Sequence, residues 1–336
     1  MGHEGAIASN AGDDFHLIWA GKKMIRMLEL GSELSAVTVE GPAPEDAAKI
    51  QDESKLYSID MTEYYGGKDF FHSNKVVFTQ LKYSAYLPEK DWDLTRLCTS
   101  SDKEKTNSVI RRMADTYAGY AKSYGDISDK ITLKLVSNQK LSENLKKCFK
   151  DSKSILEKYH YKKTAFLLKK LDTGECKIIE RIYKISGLSS NLFISFLKVL
   201  NFEDCGTNVR QIHEVEIIQK LGIWGYDNPR GAYTYLKDAI QRCMLPEGKD
   251  TCIDDIWIKN ILCTEEHRMF PAPARFQPLT EKYVEKRGEK QLAEKLVKCR
   301  KKWICLHATA GAGKTTFVNN LNKRLPEDSA VVIYDC

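Results

Sequence analysis

Phe15, Ile18, Trp19, Ile25 and Leu28 recur at near-helical spacing and predict an amphipathic helix over residues 12–30, closed by Gly31. Three runs rich in β-branched and aromatic residues follow, at 34–40, 55–60 and 75–82, and read as strands. A polar, proline-containing loop (41–54) separates the first two, and Tyr64-Tyr65-Gly66-Gly67 reads as the turn before the third. Residues 106–122 place Val109, Ile110, Met113, Tyr117 and Tyr120 along one helical side. Residues 131–136 alternate like a fourth strand. From 141 to about 263 the pattern is mostly helical, with helices expected at 190–200, 215–221 and 232–244. Three prolines between Pro271 and Pro278 mark a stiff linker, and residues 279–300 read as a charged helix.

Helix, three strands, helix, strand is the order of a small mixed α/β sheet flanked by helices. The boundaries that follow are 1–140 for the sheet domain, 141–268 for its helical extension, 269–300 for linker and lead-in helix, and 301–336 for the start of a further domain. No run approaches eighteen apolar residues, and the N-terminus lacks a secretory apolar stretch. Ten cysteines form no CxxC pair, so we expect reduced thiols in a cytoplasmic protein. A formal charge of +6 is compatible with a phosphate-bearing partner.

Two groups of residues carry chemistry. The first is Ala308-Thr309-Ala310-Gly311-Ala312-Gly313-Lys314-Thr315-Thr316, between the apolar run 303–307, expected as a strand, and a helical pattern with Phe317, Val318 and Leu321. Gly311 and Gly313 would let backbone N–H groups face phosphate oxygens. Lys314 would reach the β- and γ-phosphates of ATP, and Thr315, followed by Thr316, would ligate magnesium. Ala308 stands where the strict phosphate-loop pattern wants glycine. Residues 331–335 read as the next strand, and the sequence then stops, so we expect a piece of a longer protein.

The second group lies at strand ends. Asp60 closes the second expected strand, and Gln80 and Lys82 share one face of the third, with Leu81 on the other. Asp60 suits a divalent ion, Mg2+ or Mn2+. The Gln80 side-chain oxygen would ligate that ion or orient a ligand, and Glu40, at the end of the first strand, would add an acid. Lys82 would position water or offset charge developing on a phosphate. The competing reading is a solvated sheet edge with scattered polar residues.

The order Asp60, then Gln80-x-Lys82, within these elements resembles the restriction-endonuclease-like PD-(D/E)xK superfamily. Gly12-Asp13-Asp14-Phe15-His16, Val39-Glu40-Gly41, Gln80-Leu81-Lys82-Tyr83-Ser84 and Ser137-Asn138 resemble the DNA endonuclease effector domain of bacterial antiphage systems. The likeness covers residues 1 to about 140 and is looser to 265. It implies that Asp60 binds magnesium and Lys82 is catalytic, with Glu40, Asp14 and His16 as weaker assignments. An effector joined to a phosphate loop resembles the antiviral STAND NTPases. That implies a magnesium-dependent double-stranded DNA endonuclease activated through NTPase-driven oligomerisation. It also implies a phage protein as trigger, acting through a sensor absent from this sequence, and a homo-oligomer, a tetramer when activated, with no membrane partner. Two other classes stay open: a catalytically silent nucleic-acid-binding module, and a signalling NTPase whose N-terminal domain is a protein-interaction adaptor.

Overall fold

The computed structural model describes residues 2–50, 56, 59–100, 107–160, 163–248, 250–264, 286–299, 304–309, 311–326, 329 and 331. The chain divides into two units, residues 1–264 and 265–336.

The first unit begins with α1 (Gly2–Met27), β1 (Leu34–Val39), α2 (Pro44–Lys49), β2 (Met61–Tyr65) and β3 (Lys75–Lys82). Next come α3 (Leu94–Cys98), α4 (Val109–Tyr124), β4 (Ile131–Ser137), α5 (Glu143–Tyr159), α6 (Thr164–Leu168), α7 (Thr173–Ser186) and α8 (Ser190–Val199). It ends with β5 (Leu200–Asp204), α9 (Val209–Ile223), α10 (Pro229–Cys243) and α11 (Asp255–Ile261). The five strands form one mixed sheet in the order β1-β2-β3-β4-β5. β1, β2 and β3 run antiparallel, while β3, β4 and β5 run parallel. Parallel neighbours need long crossovers. The β3–β4 crossover carries α3 and α4, and the β4–β5 crossover carries α5 to α8.

Strand alternation sorts the core. Ala36, Tyr64, Phe78, Leu133 and Leu135 face one way and join a cluster with Ile110, Met113, Tyr117 and Tyr120 of α4 and Phe193 and Phe196 of α8. Val37, Glu63, Val77 and Leu81 alternate to the other face, where α1 buries Phe15, Ile18, Trp19 and Met24. α9 and α10 pack against α1. Edge strand β1 is covered on its free side by Ile253, which exchanges two backbone hydrogen bonds with Val37 at 2.8 and 2.9 Å. Such cover keeps an edge from pairing with another chain.

β3 matches its expected span, whereas α1 (Gly2–Met27) begins well before the helix expected at 12–30 and ends before Gly31. Of the strand expected at 55–60, Leu56, Ile59 and Asp60 are not strand and residues 55, 57 and 58 lie outside the described residues; β2 starts at Met61, so Tyr64 and Tyr65 are strand and the turn begins at Gly66. Tyr64 explains the shift, because its fully buried ring belongs to the core and its hydroxyl donates to buried Asp46 at 2.8 Å. β5 arises where helix 190–200 was expected to continue into further helical structure. Its short Leu-Asn-Phe run finds a parallel partner in β4, which local periodicity does not reveal.

The second unit shows a helix α12 (Glu289–Lys298), a short helix α13 (Lys314–Asn319) and a 3-10 turn (Leu321–Arg324). Residues 304–307 are not strand, in contrast to expectation, and have no described sheet partner. The expected linker at 271–278 lies outside the described residues, as does the expected strand at 331–335 apart from Val331. Among the described residues no helix is long and apolar enough to cross a membrane.

One polar contact ties α1 to the sheet. Lys23 Nζ donates to Glu63 Oε2 at 3.0 Å, and the two side chains are 11% and 1% exposed. Tyr65 donates to the same oxygen at 2.7 Å. Removing one partner of a buried pair leaves an uncompensated charge. Lys23→Met should therefore lower stability by about 3–5 kcal/mol in urea denaturation. The double variant Lys23→Met/Glu63→Leu should recover most of that loss, and an equal or larger loss in the double variant would refute the assignment.

Candidate functional site

The residues singled out at the strand ends gather at one end of β2 and β3. Asp60 stands immediately before β2. Its N–H is donated to the Thr79 carbonyl at 3.0 Å, and its Oδ2 accepts the Leu81 N–H at 2.6 Å. The carboxylate thus accepts a β3 backbone donor, which holds it at the sheet end. The Asp60 carbonyl accepts from the Glu40 N–H at 2.9 Å. Glu40 has φ 55° and is followed by Gly41 at φ 147°. Left-handed backbone at a glutamate costs energy and marks a conformation imposed by its surroundings. Gly41 then turns its carbonyl to accept from the Thr38 and Thr62 hydroxyls at 2.6 and 3.0 Å, which anchors the turn.

α1 brings His16 into this group. Its Nδ1 lies 3.6 Å from Glu40 Oε1 and its Nε2 lies 3.9 Å from Asp60 Oδ2. Phe15 packs its ring 5.4 Å from that of Tyr83, which fixes this part of α1 beside the end of β3. Asp14 does not join the acids: it pairs with Arg210 of α9 and Lys237 of α10. Arg210 also lies 5.5 Å from the Tyr83 ring centroid.

Gln80 is 1% exposed, and neither its Oε1 nor its Nε2 has a hydrogen-bond partner. A buried amide with both ends unsatisfied is costly, so it requires an explanation. Lys82 shares the strand face of Gln80 and ends β3 opposite Ser137 of β4. Asn138, next to Ser137, holds the chain beyond Lys82: its Oδ1 accepts from the Ser84 N–H at 2.8 Å and its Nδ2 donates to the Ser84 carbonyl at 2.9 Å.

The electrostatics follow from burial and these neighbours. Burial raises the Asp60 pKa above the ordinary carboxylate value; Lys82, His16 and the Leu81 N–H oppose the rise, and Glu40 adds to it. Burial lowers the affinity of His16 for a proton, but its close contact with Glu40 and the charges of Asp60 and Glu40 outweigh this and raise its pKa. The site therefore holds protons more readily than its isolated groups would. Among the described residues, no cluster of three His, Cys, Asp or Glu side chains is arranged to hold a metal. The oxygen donors here are two carboxylates and the Gln80 amide, a hard set that suits magnesium or manganese. His16, a weaker assignment of the sequence resemblance carried by the Asp-Asp-Phe-His segment, is brought to the strand ends by α1.

In the second unit, Gly311 and Gly313 have φ 75° and 84°, the backbone freedom expected of them. Lys314 Nζ donates to the carbonyls of Ala308 and Thr309 at 2.8 and 2.9 Å, and Lys286 Nζ donates to Ala312 at 2.7 Å. Both ammonium groups sit on the loop's own carbonyls. Thr315 and Thr316 lie in the first turn of α13.

A raised carboxylate pKa means that charge on Asp60 weakens the fold. That cost is full above the folded-state pKa and vanishes as pH falls below the unfolded value. Asp60→Asn should therefore raise the melting temperature by a few degrees at pH 7, with the gain shrinking to nothing in acid. A loss of stability at pH 7 would overturn the electrostatic assignment.

No protein-family model matches this chain, and no curated protein matches it. Solved structures similar to it include the Cap4 SAVED/CARF-domain containing receptor of Acinetobacter baumannii, at 12% identity and a TM-score of 0.39, over 76% of this chain and 46% of that one. The same receptor with the cyclic trinucleotide 3'3'3'-cAAA matches at 14% identity and a TM-score of 0.37, over 76% and 45%. The Moraxella osloensis Cap4 SAVED/CARF-domain containing receptor matches at 16% identity and a TM-score of 0.38, over 76% and 47%. This chain thus spans less than half the length of those chains. The matches are to receptors, and the Acinetobacter receptor is also known with 2'3'3'-cAAA; this corrects the expectation of a double-stranded DNA endonuclease effector with duplex DNA as partner. The phage-protein trigger and the activated tetramer expected with it fall away too. The physical reason is that an acid, an amide and a lysine at neighbouring strand ends do not by themselves specify the molecule they would meet.

Proposed function

We propose that the end of β3 binds a nucleotide phosphodiester on a divalent cation, with Asp60, Glu40 and Gln80 as the cation's oxygen donors and Lys82 against the phosphate. The observation that carries this reading is Gln80, buried with both polar amide atoms unpartnered two residues before Lys82. A hard cation would give Oε1 the partner it lacks. Magnesium or manganese bound there would supply Lewis acidity toward a phosphate oxygen. A cation held there would favour the charged form of Asp60, against the burial that raises its pKa. His16 stands between Glu40 and Asp60 and, when protonated, offsets their mutual repulsion. Lys82 offsets charge on the phosphate, and in a site of low dielectric this contact weighs more than it would in water.

Magnesium-dependent cleavage of the bound diester is the enzymatic part of the proposal. The finer reading of the mixed sheet as restriction-endonuclease-like belongs to it, as does the place in bacterial antiphage defence that the sequence resemblance implies. So does ATP–magnesium at residues 311–316, where Lys314 would exchange the Ala308 and Thr309 carbonyls for phosphate oxygens.

Calorimetry with manganese and then 3'3'3'-cAAA tests the site. Asp60→Asn and Gln80→Leu should weaken cation binding by about tenfold or more. Lys82→Ala should leave cation binding intact and weaken the trinucleotide by roughly 10- to 100-fold, the weight of one hydrogen bond involving a charged group. Product analysis with magnesium or EDTA reads cleavage in the same samples. Cation binding indifferent to both Asp60→Asn and Gln80→Leu would sink the proposal.

A further inference from the structure

Residues 5–10 of α1 are exposed or half-buried, and the packed part of the helix begins at Ala11. Asp14 lies in this first packed turn, and its carboxylate is gripped by two other helices. Its Oδ2 accepts from Arg210 Nε of α9 at 2.6 Å, and its Oδ1 pairs with Lys237 Nζ of α10. All three side chains are partly buried, so salt and water screen the clasp less than they would a surface pair. The next residue, Phe15, packs its ring 5.4 Å from that of Tyr83, and the Arg210 guanidinium lies 5.5 Å from the centre of the same Tyr83 ring. The clasp and the end of β3 therefore meet at Tyr83. At 3.6 residues per turn, His16 projects about 200° around the helix from Asp14. With Asp14 held on the side of α9 and α10, His16 is turned toward Glu40 and Asp60. Its two ring nitrogens lie 3.6 and 3.9 Å from those carboxylates. A side chain about 6 Å from the helix axis moves by about 1 Å when the helix rotates by about 10°. A shift of that size loosens one of the two contacts, and site groups must be held within about 0.5 Å to keep their geometry. Burial of Phe15, Ile18 and Trp19 holds α1 against the sheet. That attraction is non-directional, whereas charge-assisted hydrogen bonds to two helices add direction.

We infer that Asp14 is a positioning residue: clasped by Arg210 and Lys237, it sets the rotation of α1 that places His16 between Glu40 and Asp60. Its bearing on cation binding rests on the function proposed above, but the placement of His16 does not. Asp14 touches none of the groups at the strand ends and acts on them only through the helix.

The test uses the whole chain without added metal. Diethyl pyrocarbonate modifies neutral, accessible imidazole, and mass spectrometry reads the rate at each histidine. His72, on the loop before β3 with its side chain 70% exposed, serves as the internal reference. In mildly alkaline buffer, Asp14→Ala, Arg210→Ala and Lys237→Ala should each speed the modification of His16, the first by about threefold or more, the scale of coupling through a backbone shift. His72 should keep its rate in all three. Asp14→Glu, which keeps the carboxylate, should bring His16 most of the way back to the wild-type rate. A direct effect of the charges on His16 would instead give opposite signs: loss of Asp14 would lower its proton affinity and speed it, and loss of either cation would raise that affinity and slow it. Opposite signs, an unchanged His16 in Asp14→Ala, no slowing by Glu relative to Ala, or a common rise at His16 and His72 would each overturn the positioning role. Manganese calorimetry on the wild-type chain reads the cation site separately. The expected His16 rates with no manganese binding would overturn the cation reading and leave the role of Asp14 standing.

Discussion

β3 is the constraint on which the rest of the first unit depends. It is the middle strand, antiparallel to β2 on one side and parallel to β4 on the other, and Val76 to Leu81 are all buried. A strand covered on both faces leaves no room for unpaired polar groups except at its end. That end is where Gln80 and Lys82 stand. The apolar stretch of β3 therefore sets the sheet, and its last three residues set the site. α1 seals one face and α4 with α8 seals the other, so a displacement of β3 would disturb both cores at once.

The site is assembled from groups that weaken the fold locally. Glu40 sits in a left-handed conformation, Asp60 is a buried carboxylate with a raised pKa, and Gln80 has an unsatisfied amide. Each opposes folding, and each is held by stronger packing around it. Tyr64, Phe78 and Tyr120 pack beneath the adjoining strands, with the Phe78 and Tyr120 rings 4.5 Å apart. Concentrated local cost within a well-packed frame is the expected sign of a functional site. The Lys23–Glu63 pair differs: its charge is compensated, and it joins helix to sheet.

The parallel half of the sheet shapes a hollow of its own. β4 and β5 bring Ser137 and Asp204 to the same end as Lys82, and the crossovers that parallel pairing requires leave a hollow above those strand ends. In open α/β sheets, ligands occupy the crevice at the carboxyl ends of parallel strands. Here one strand end carries the charges and the next carries an aromatic-walled cavity. The antiparallel half, with β1 closed by Ile253, serves as frame and supplies Glu40 and Asp60.

Local chemistry was legible wherever an element is stabilised by its own pattern. The helical spacing of Phe15, Ile18 and Trp19, the span of β3, and the shared strand face of Gln80 and Lys82 all follow from side-chain periodicity, which needs no distant partner. The glycines at 311 and 313 were legible for the same reason, since left-handed backbone favours glycine. The start of β2 after Asp60, the existence of β5, the diversion of Asp14 to Arg210 and Lys237, and the cavity lined by Gln139 were not. Each depends on contacts between residues far apart in the chain: β5 has only a short apolar run and becomes a strand because β4 offers it backbone partners, and Asp14 and His16 separate because neighbouring positions on a helix point in different directions. The sequence by itself determined which chemical groups the protein carries and the local elements that hold them. Only the tertiary structure decided which of those groups meet, because that choice is made by packing and backbone pairing across the whole sheet.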